Sequence, residues 1–316
     1  MCSYETKKEP EFFDLLEYVD QIKLTDDVLY HLADVNATFE EYLKTLGKYT
    51  DYDDTSVLFY WLDQTQKELI SSGEIERHKF AFSNEELLGG DLFFDSLSIN
   101  QKRIKDIHKF VCEHSATNRD ILIGEYRKNS AWHGNILPSG EKVIDWYGAA
   151  PEDIEKFIKS YIEFYKKNSI KEVYSNPFLK AALAHILLLR IHPFGDGNSR
   201  TSRIIHNLSF TSSINKLYGT NLKLSPLNIS KNIHINQITY AKRVNSVPFG
   251  IEEFDNSAIN RWLEFILNMY DEQLYFQQNR IPYLVESFER IKAMSSTSNK
   301  GTFEEQTQKS KINKLF

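Results

Sequence analysis

The fold of this chain is decided by residues 181–203, which read AALAHILLLRIHPFGDGNSRTSR. The nearly unbroken apolar run predicts a buried helix over residues 178–191. Pro193 ends that helix, because proline lacks the N–H that would continue it and clashes with the preceding turn. Asn198 or Ser199 can cap a second helix, predicted to run from Ser199 to Phe210. The stretch therefore predicts two helices joined by a short, glycine-containing loop.

The loop between these helices carries groups that bind anions. Gly195 and Gly197 allow backbone N–H groups to converge on one point. The N-terminus of the second helix directs its free N–H groups and its positive dipole at the same place. Arg200 and Arg203 lie on one face of that helix, from which both guanidinium groups can reach phosphate oxygens. These features together predict a site for a phosphate chain.

Two side chains beside this anion site add chemistry. His192 can act as a general base, because an imidazole titrates near neutral pH. Asp196 offers a hard oxygen ligand suited to Mg²⁺ on a phosphate chain. Each feature alone has an ordinary explanation, since such a histidine is often packed in a core and Gly-x-Gly is often a turn. Packing needs rarely produce all of them in one short window, which therefore predicts a polyphosphate site capable of proton transfer.

The rest of the chain is predicted to be mainly helical. Helical periodicity predicts two helices within residues 11–46 and further helices over 56–71, 96–112, 151–167 and 251–284, with another helix start at Ser83. Residues 121–147 differ, because strand-forming residues flank the turn Pro138-Ser139-Gly140, and this pattern predicts a β-hairpin. The polar C-terminal residues are expected to fray.

Composition and charge narrow the class of protein. The formal net charge of -6 disfavours general nucleic-acid binding, because no uniform positive field attracts phosphate. The two cysteines, Cys2 and Cys112, lack the spacing of a disulfide framework or a zinc site. The N-terminus does not resemble a secretory signal, and no apolar run is long enough to span a bilayer. We therefore expect a cytoplasmic protein without a membrane partner.

The motif at residues 192–203 resembles the signature of the Fic family, His-Pro-Phe-x-Asp/Glu-Gly-Asn-x-Arg-x-x-Arg. The preceding helix also looks like that family's, and the resemblance spans Val57 to Leu267, with Ser199 standing where many members have Gly. It implies a mainly α fold: a Fic-type helical core with a β-hairpin flap and an N-terminal helical extension. The implied regions are an N-terminal helical region over 1–112, a catalytic core over 113–245, and a C-terminal helical region with a polar tail over 246–316.

The resemblance implies a nucleotidyltransferase that moves AMP from ATP, with Mg²⁺, onto a hydroxyl of a target protein. In this family's pattern His192 would take the proton of the hydroxyl and Asp196 would hold Mg²⁺. The residues implied to form the nucleotide site are Phe194, Gly195, Gly197, Asn198, Ser199, Arg200, Arg203 and Tyr240. Among them Arg203 would grip the terminal phosphate, Phe194 would pack the loop down, and Tyr240 would line the base pocket. His185 is expected to be a core histidine, with a supporting role at the site as the alternative.

Two more parts of the sequence gain a meaning from the resemblance. The hairpin occupies the position of the family's flap, which docks an extended target segment by main-chain hydrogen bonds. Ser72 and Glu76 match the family's inhibitory motif, Ser/Thr-x-x-x-Glu-Gly/Asn, although Arg77 departs from it. Glu76 would then pair with Arg203 and occupy the place of the terminal phosphate. Glu74 is a nearby alternative for this role.

Other functions remain open at this stage. The same fold could transfer phosphate, UMP or phosphocholine, remove AMP, or modify itself. A nucleotide-binding module without catalysis is disfavoured by the presence of His192, and a DNA-binding regulator by the acidic balance. Members of the family form dimers, so a second copy of the chain is a further expected partner.

Overall fold

The computed structural model of the chain describes residues 8–47, 54–76, 97–115, 121–167, 172–220, 222, 225–251 and 253–297. The helices in these residues are α1 (Leu15–Gln21), α2 (Asp26–Gly47), α3 (Asp54–Ile75), α4 (Gln101–His114), α5 (Ile154–Lys166), α6 (Pro177–Ile191), α7 (Asn198–Tyr218), α8 (Ser230–Ile235), α9 (Gln237–Ser246) and α10 (Asn256–Thr297). Short 3₁₀ turns precede α5 and α6 at Pro151–Asp153 and Glu172–Ser175. The expected mainly α fold is confirmed.

A single hairpin interrupts the helices in the described part of the chain. Strand β1 (Trp132–Ile136) pairs antiparallel with β2 (Lys142–Tyr147), so the predicted hairpin is confirmed. Its turn is closed by a hydrogen bond from the N–H of Gly140 to the carbonyl of Leu137. The register shifts between His133 and Gly134, which marks a bulge.

Helix α6 lies at the centre of the core. Nearly all its side chains are buried, as expected for a helix that is apolar all round. Helices α5, α7 and α10 pack against it. Asn176 caps the N-terminus of α6 by accepting a hydrogen bond from the N–H of Phe178 at 3.0 Å, and Pro177 follows at a position that tolerates proline. Because three helices pack around α6, its C-terminal end sets the position of the loop that begins at His192.

Three differences from the sequence-based prediction concern helix ends and short helices. Helix α7 extends to Tyr218, beyond the predicted Phe210, because one face remains buried over most of that length. The short helices α8 and α9 were not predicted. The C-terminal helix begins at Asn256 rather than 251, where Asp255 accepts hydrogen bonds from the N–H groups of Ser257 and Ala258. The helix start predicted at Ser83 lies outside the described residues.

In the described part of the chain, no helix combines the length and the apolar character needed to cross a bilayer.

Candidate active site

The loop between α6 and α7 places His192 at the end of a buried helix in an unusual backbone conformation. His192 is the one described non-glycine residue with a positive φ, 52°, and its N–H caps α6 by donating to the carbonyl of Leu188. The left-handed region costs an L-residue about 1–2 kcal/mol, and such strain concentrates at functional sites. The backbone thereby turns sharply and leaves the imidazole half-buried at the loop.

Asn198 closes the loop on itself. Its side chain accepts a hydrogen bond from the N–H of Phe194 at 3.0 Å and donates one to the carbonyl of the same residue at 2.8 Å. For this reason the predicted cap by Asn198 or Ser199 is wrong: the N-cap of α7 is Gly197, with φ 74° and no side-chain cap bond. A Cβ at Gly197 would also lie 3.3 Å from Val111. Asn198 thus fixes the loop's shape, and Ser199 lies half-buried in the first turn of α7.

Phe194 anchors the loop against α4, as the sequence predicts for its packing role. Its fully buried ring stacks on His108 with centroids 3.7 Å apart and an interplanar angle of 1°. The N–H of Gly124 donates to Nδ1 of His108 at 3.0 Å, so the ring proton is on Nε2, which donates to the carbonyl of Asp196 at 3.0 Å. Burial lowers the pKa of His108 to about 4, which keeps the ring neutral.

Arg127 joins the base of the hairpin to the loop. Its N–H donates to the carbonyl of Pro193 at 2.9 Å, and its Nε donates to the carbonyl of His192 at 2.7 Å. The same guanidinium donates to the carbonyls of Asn129 and Ala149. Gly148 permits this approach, because a Cβ there would lie 2.8 Å from Arg127 Nη2 and from His192 Cβ. Arg127 therefore connects the loop to the base of the hairpin by hydrogen bonds to both.

Arg200 and Arg203 are buried and both meet the carboxylate of Glu76. Oε1 of Glu76 lies 2.6 Å from Nη2 of Arg203, and Oε2 lies 2.9 Å from Nε of Arg200. Arg200 also contacts Asp196, with Nη2 at 3.0 Å from Oδ1, and donates to Oγ of Ser115. The expected pairing of Glu76 with Arg203 is present, and the contact with Arg200 is an addition that the sequence did not suggest.

Ser72, one helical turn before Glu76, also binds Arg203. Nε of Arg203 donates to Oγ of Ser72 at 2.7 Å, and Nη2 donates to the carbonyl of Ser72 at 2.8 Å. Burial is the largest single influence on the pKa of Arg203 and would lower it, but the attractions and hydrogen bonds of Glu76 and Tyr240 together raise the pKa above its ordinary value. The C-terminal end of α3 therefore meets the predicted anion site with a hydroxyl, a carbonyl and the carboxylate of Glu76. Glu74, the alternative for the inhibitory role, is exposed to solvent.

A second glutamate fixes α3 in this place. Glu68 is buried and accepts hydrogen bonds from the N–H and Oγ of Ser230 at the start of α8 and from Nδ2 of Asn207 on α7. Burial raises the pKa of Glu68, although these hydrogen bonds oppose the shift. A cavity of about 30 Å³ lies beside it, lined also by Ser72 and Arg203. The contact of α3 with α7 and α8 is thus polar and specific.

The electrostatic setting of His192 keeps its imidazole neutral. Burial and the nearby guanidinium of Arg127 lower its pKa to about 3. Nδ1 lies 3.3 Å from the carbonyl of Leu189, and since a carbonyl only accepts, Nδ1 carries the proton. Trp146 of β2 packs against the ring with centroids 5.3 Å apart. Nε2 consequently has the lone pair that a proton acceptor needs.

Asp196 is the carboxylate that this loop offers to a metal ion. The described residues contain no group of three or more histidine, cysteine or acidic side chains that could hold a metal by themselves. Mg²⁺, however, is commonly bound by one or two carboxylates together with substrate phosphates. The half-buried Asp196, with Arg200 at 3.0 Å, fits a metal that would arrive with its phosphate chain, and this role stays a prediction.

Two further buried side chains, Tyr240 and His185, lie behind the arginines. Tyr240 is buried, with its hydroxyl 3.0 Å from Nε2 of His185, and it interacts with Arg203. The pKa of His185 lies well below its ordinary value because of burial, and the ring packs on Trp262. His185 is therefore buried in the core, as predicted, and because it contacts Tyr240 its alternative role in supporting the site stays a prediction. The role of Tyr240 as a wall of a base pocket stays a prediction.

Comparisons with known proteins agree with this geometry. Residues 98–209, which include α4, the hairpin and the motif loop, match the Fic/DOC family. The chain contains a Fic domain. The expected core boundaries, 113–245, stay a prediction.

Relatives and solved structures show how far this likeness extends. The protein adenylyltransferase Fic of Drosophila erecta is 31% identical over 132 residues, 39% of this chain and 24% of that protein. The protein of the same name from Drosophila virilis is 33% identical over 132 residues. The chain thus spans about a quarter of the length of these curated relatives.

Solved Fic structures support the fold beyond the Fic domain. A Fic domain containing signaling protein from Bacteroides thetaiotaomicron has a TM-score of 0.52 at 15% identity, covering 78% of this chain and 95% of its own. A Fic family protein from Desulfovibrio desulfuricans has a TM-score of 0.54 at 15% identity, covering 86% of this chain and 77% of its own. At this identity the likeness concerns the fold.

Sequence reasoning missed three residues that support the Fic domain's loop and α3: His108, Arg127 and Glu68. Only His108 carried a signal, because it stands among apolar residues of α4 that are spaced to face the core. Arg127 and Glu68 contact groups far away in the sequence, at Pro193 and Ser230. The local sequence around Arg127 or Glu68 does not predict such long-range contacts.

Proposed function

We propose that this protein transfers AMP from ATP to a hydroxyl side chain of a target protein, and that Glu76 inhibits the reaction. The observation that carries the proposal is the pair of buried arginines behind a strained His192 loop, with their charge met by one carboxylate of α3. Two arginines on a helix N-terminus are suited to a phosphate chain. The names of the Drosophila relatives support AMP as the transferred group.

In the proposed reaction the target hydroxyl loses its proton to Nε2 of His192 while its oxygen attacks the α-phosphorus. A new oxygen–phosphorus bond forms, the bond to the β-phosphate breaks, and pyrophosphate leaves. The low pKa of His192 makes the neutral imidazole available at neutral pH. An arriving phosphate chain raises that pKa, because nearby negative charge favours the imidazolium. Base strength would thus rise only when substrate is present.

The other loop residues would position the nucleotide. Arg200 and the first N–H groups of α7 face the phosphates, and Arg203 takes the terminal phosphate. Asp196 would hold Mg²⁺, which supplies positive charge that steadies the phosphate chain and the leaving group. The hairpin would dock the target segment through its exposed strand edge, as in other β-augmentation sites.

Inhibition follows from competition for the arginines. A terminal phosphate and the carboxylate of Glu76 both need Arg203 Nη2, so they exclude one another. With Glu76 in place ATP would bind with its phosphates displaced from the geometry of in-line attack. The same chain would modify itself once α3 moved aside.

Transfer of another nucleotide or phosphate group, and removal of AMP, use the same loop and are the second candidates. The alternative transfers share the proton acceptor and the anion site and differ in the donor, so the experiment below separates them by varying the nucleotide. Removal of AMP instead takes the modified protein as its substrate and water as the attacking group, and it releases AMP.

The test is label transfer with α-labelled ATP and Mg²⁺, read by intact mass and autoradiography, with and without cell lysate. It compares the natural chain, Glu76→Gly, and Glu76→Gly combined with His192→Ala. We expect AMP label on Glu76→Gly and none on the double variant. The nucleotides UTP, CTP and γ-labelled ATP serve as parallel donors.

Two results would contradict the proposal. If Glu76→Gly is labelled by γ-labelled ATP or by UTP but not by α-labelled ATP, the transferred group is not AMP. If the double variant is labelled as strongly as Glu76→Gly, His192 is not the proton acceptor.

A further inference from the structure

A groove lies beside Trp146 at the end of β2. It is formed by residues 8–13, by the end of β2 with Arg190, and by the segment from Asn245 to Asp255, and its volume is about 510 Å³. That volume is in the range of ligand and peptide sites. Trp146 is the wall that the groove shares with the candidate active site, because the same ring packs against His192.

Arg190 lines this groove near Tyr18 and Glu253, and two of its buried donors make no hydrogen bond within the described residues. The residue is 5% exposed, and its Nε and Nη1 find no hydrogen-bond acceptor among the described residues. Its guanidinium packs 4.4 Å from the centroid of the Trp146 ring, a cation–π contact that leaves the in-plane N–H groups unused. Buried donors without acceptors are rare in native proteins, and each calls for a missing partner.

The rim of the groove has the opposite charge. The lining carries the carboxylates Glu9, Glu11, Asp145, Glu253 and Asp255 and the cations Lys8 and Arg190. Lys8 lies 3.6 Å from Glu11, and Asp255 lies 3.8 Å from Arg261, yet the carboxylates still outnumber these cations. Aromatic side chains, Phe12 and Phe249 among them, form part of the lining. An acidic rim over an apolar floor complements a segment with basic and apolar side chains, whose main-chain carbonyls are acceptors for Arg190.

We propose that this groove binds an extended segment of the substrate protein that flanks the modified hydroxyl and carries basic and apolar side chains, with Arg190 donating to a carbonyl of that segment. This rests on the proposed function, since the groove is assigned to the protein that receives AMP. The position explains the choice of occupant: Trp146 lines the groove and its ring also packs against His192, so a segment bound there lies close to the proposed proton acceptor. Arg190 and Trp146 also belong to the residue types that dominate binding energy at interfaces.

The test measures peptide binding to the full chain by fluorescence anisotropy in the absence of nucleotide. The probes are two labelled peptides, one with Lys and Leu beside a Ser, the other identical except for Glu in place of each Lys. Because no transfer is required, failure of the AMP-transfer assay leaves this measurement intact, and the two proposals can fail separately. We expect the lysine peptide to bind more tightly.

Two groove variants and one control sharpen the test. Glu11→Lys with Glu253→Lys reverses two exposed rim charges and should weaken binding of the lysine peptide by about tenfold, through loss of attraction and gain of repulsion. Arg190→Met keeps the apolar stem, removes the donors, and should weaken both peptides at an unchanged unfolding temperature. Glu41→Lys with Glu264→Lys makes the same net charge change at exposed sites outside the groove and should leave the preference intact.

Three results would overturn the proposal: no binding of either peptide, equal binding of both, or a preference that the rim variant retains. The rim variant stands on its own if Arg190→Met does not fold, because it alters only exposed side chains.

Discussion

Glu76 and Arg203 are 127 positions apart in the sequence, yet Oε1 of the first lies 2.6 Å from Nη2 of the second. The same carboxylate reaches Arg200, so α3 satisfies two buried cations at once. Any phosphate that binds these arginines must displace it. Under the proposed function, the binding of ATP and the seating of α3 are therefore linked energetically.

The first prediction compares the contributions of Glu76 and Glu74 to stability and to the response to ATP. Glu76→Gln should lower the free energy of unfolding by about 1–3 kcal/mol, because two buried guanidinium groups lose their ionic partner. Added ATP and Mg²⁺ should raise the unfolding temperature more in this variant than in the natural chain, since the phosphates replace the missing charge. The matched control Glu74→Gln changes an exposed side chain and should match the natural chain in both measurements. If ATP and Mg²⁺ raise the unfolding temperature of both variants equally, Glu76 does not compete with the phosphates for the arginines.

The second prediction concerns the backbone of His192. Glycine adopts the left-handed region without the cost that a Cβ carries, so His192→Gly should be more stable to urea than His192→Ala by about 1 kcal/mol. Neither variant should transfer AMP. If the alanine variant is as stable as the glycine variant, the left-handed conformation at position 192 is not a feature of the folded chain.

The third prediction concerns acid. His206 is a fully buried residue of α7. Burial lowers its pKa to about 3 and that of His108 to about 4, whereas both titrate near 6.5 in the unfolded chain. Below pH 6.5 the unfolded chain therefore binds more protons, and stability falls as pH falls through the interval between these values. At pH 5 the loss is about 2 kcal/mol for each such histidine.

Urea unfolding at pH 7 and pH 5 checks this. His206→Phe removes one of these groups, and its stability should change less between the two pH values than that of the natural chain. A pH dependence identical in both would show that His206 is not buried in its neutral form.

The sequence predicted the loop and its chemistry because the determinants are local. Pro193 and Gly197 act on their own backbone, and Arg200 and Arg203 share a face through helical spacing alone. The apolar run of α6 predicted its own burial. The hairpin followed from its turn residues in the same way.

What sequence reasoning missed depends on contacts between distant segments. Helices α8 and α9 lack a clear apolar period, and α8 is held by Glu68 of α3 and by packing on α10. The cap of α7 was misassigned because Asn198 turns back to Phe194, a choice that is settled by the closed loop and not by the residue type. Arg127 and His108 likewise gain their roles only when the chain has folded.

The support that Arg127 gives to the loop has a consequence for how the hairpin can bend. Its hydrogen bonds tie the base of the hairpin to the segment of His192 and Pro193. The bulge between His133 and Gly134 is the first place above this base where the ladder is interrupted. We therefore expect any bending of the hairpin to be concentrated in its outer half, while the base keeps the imidazole in place.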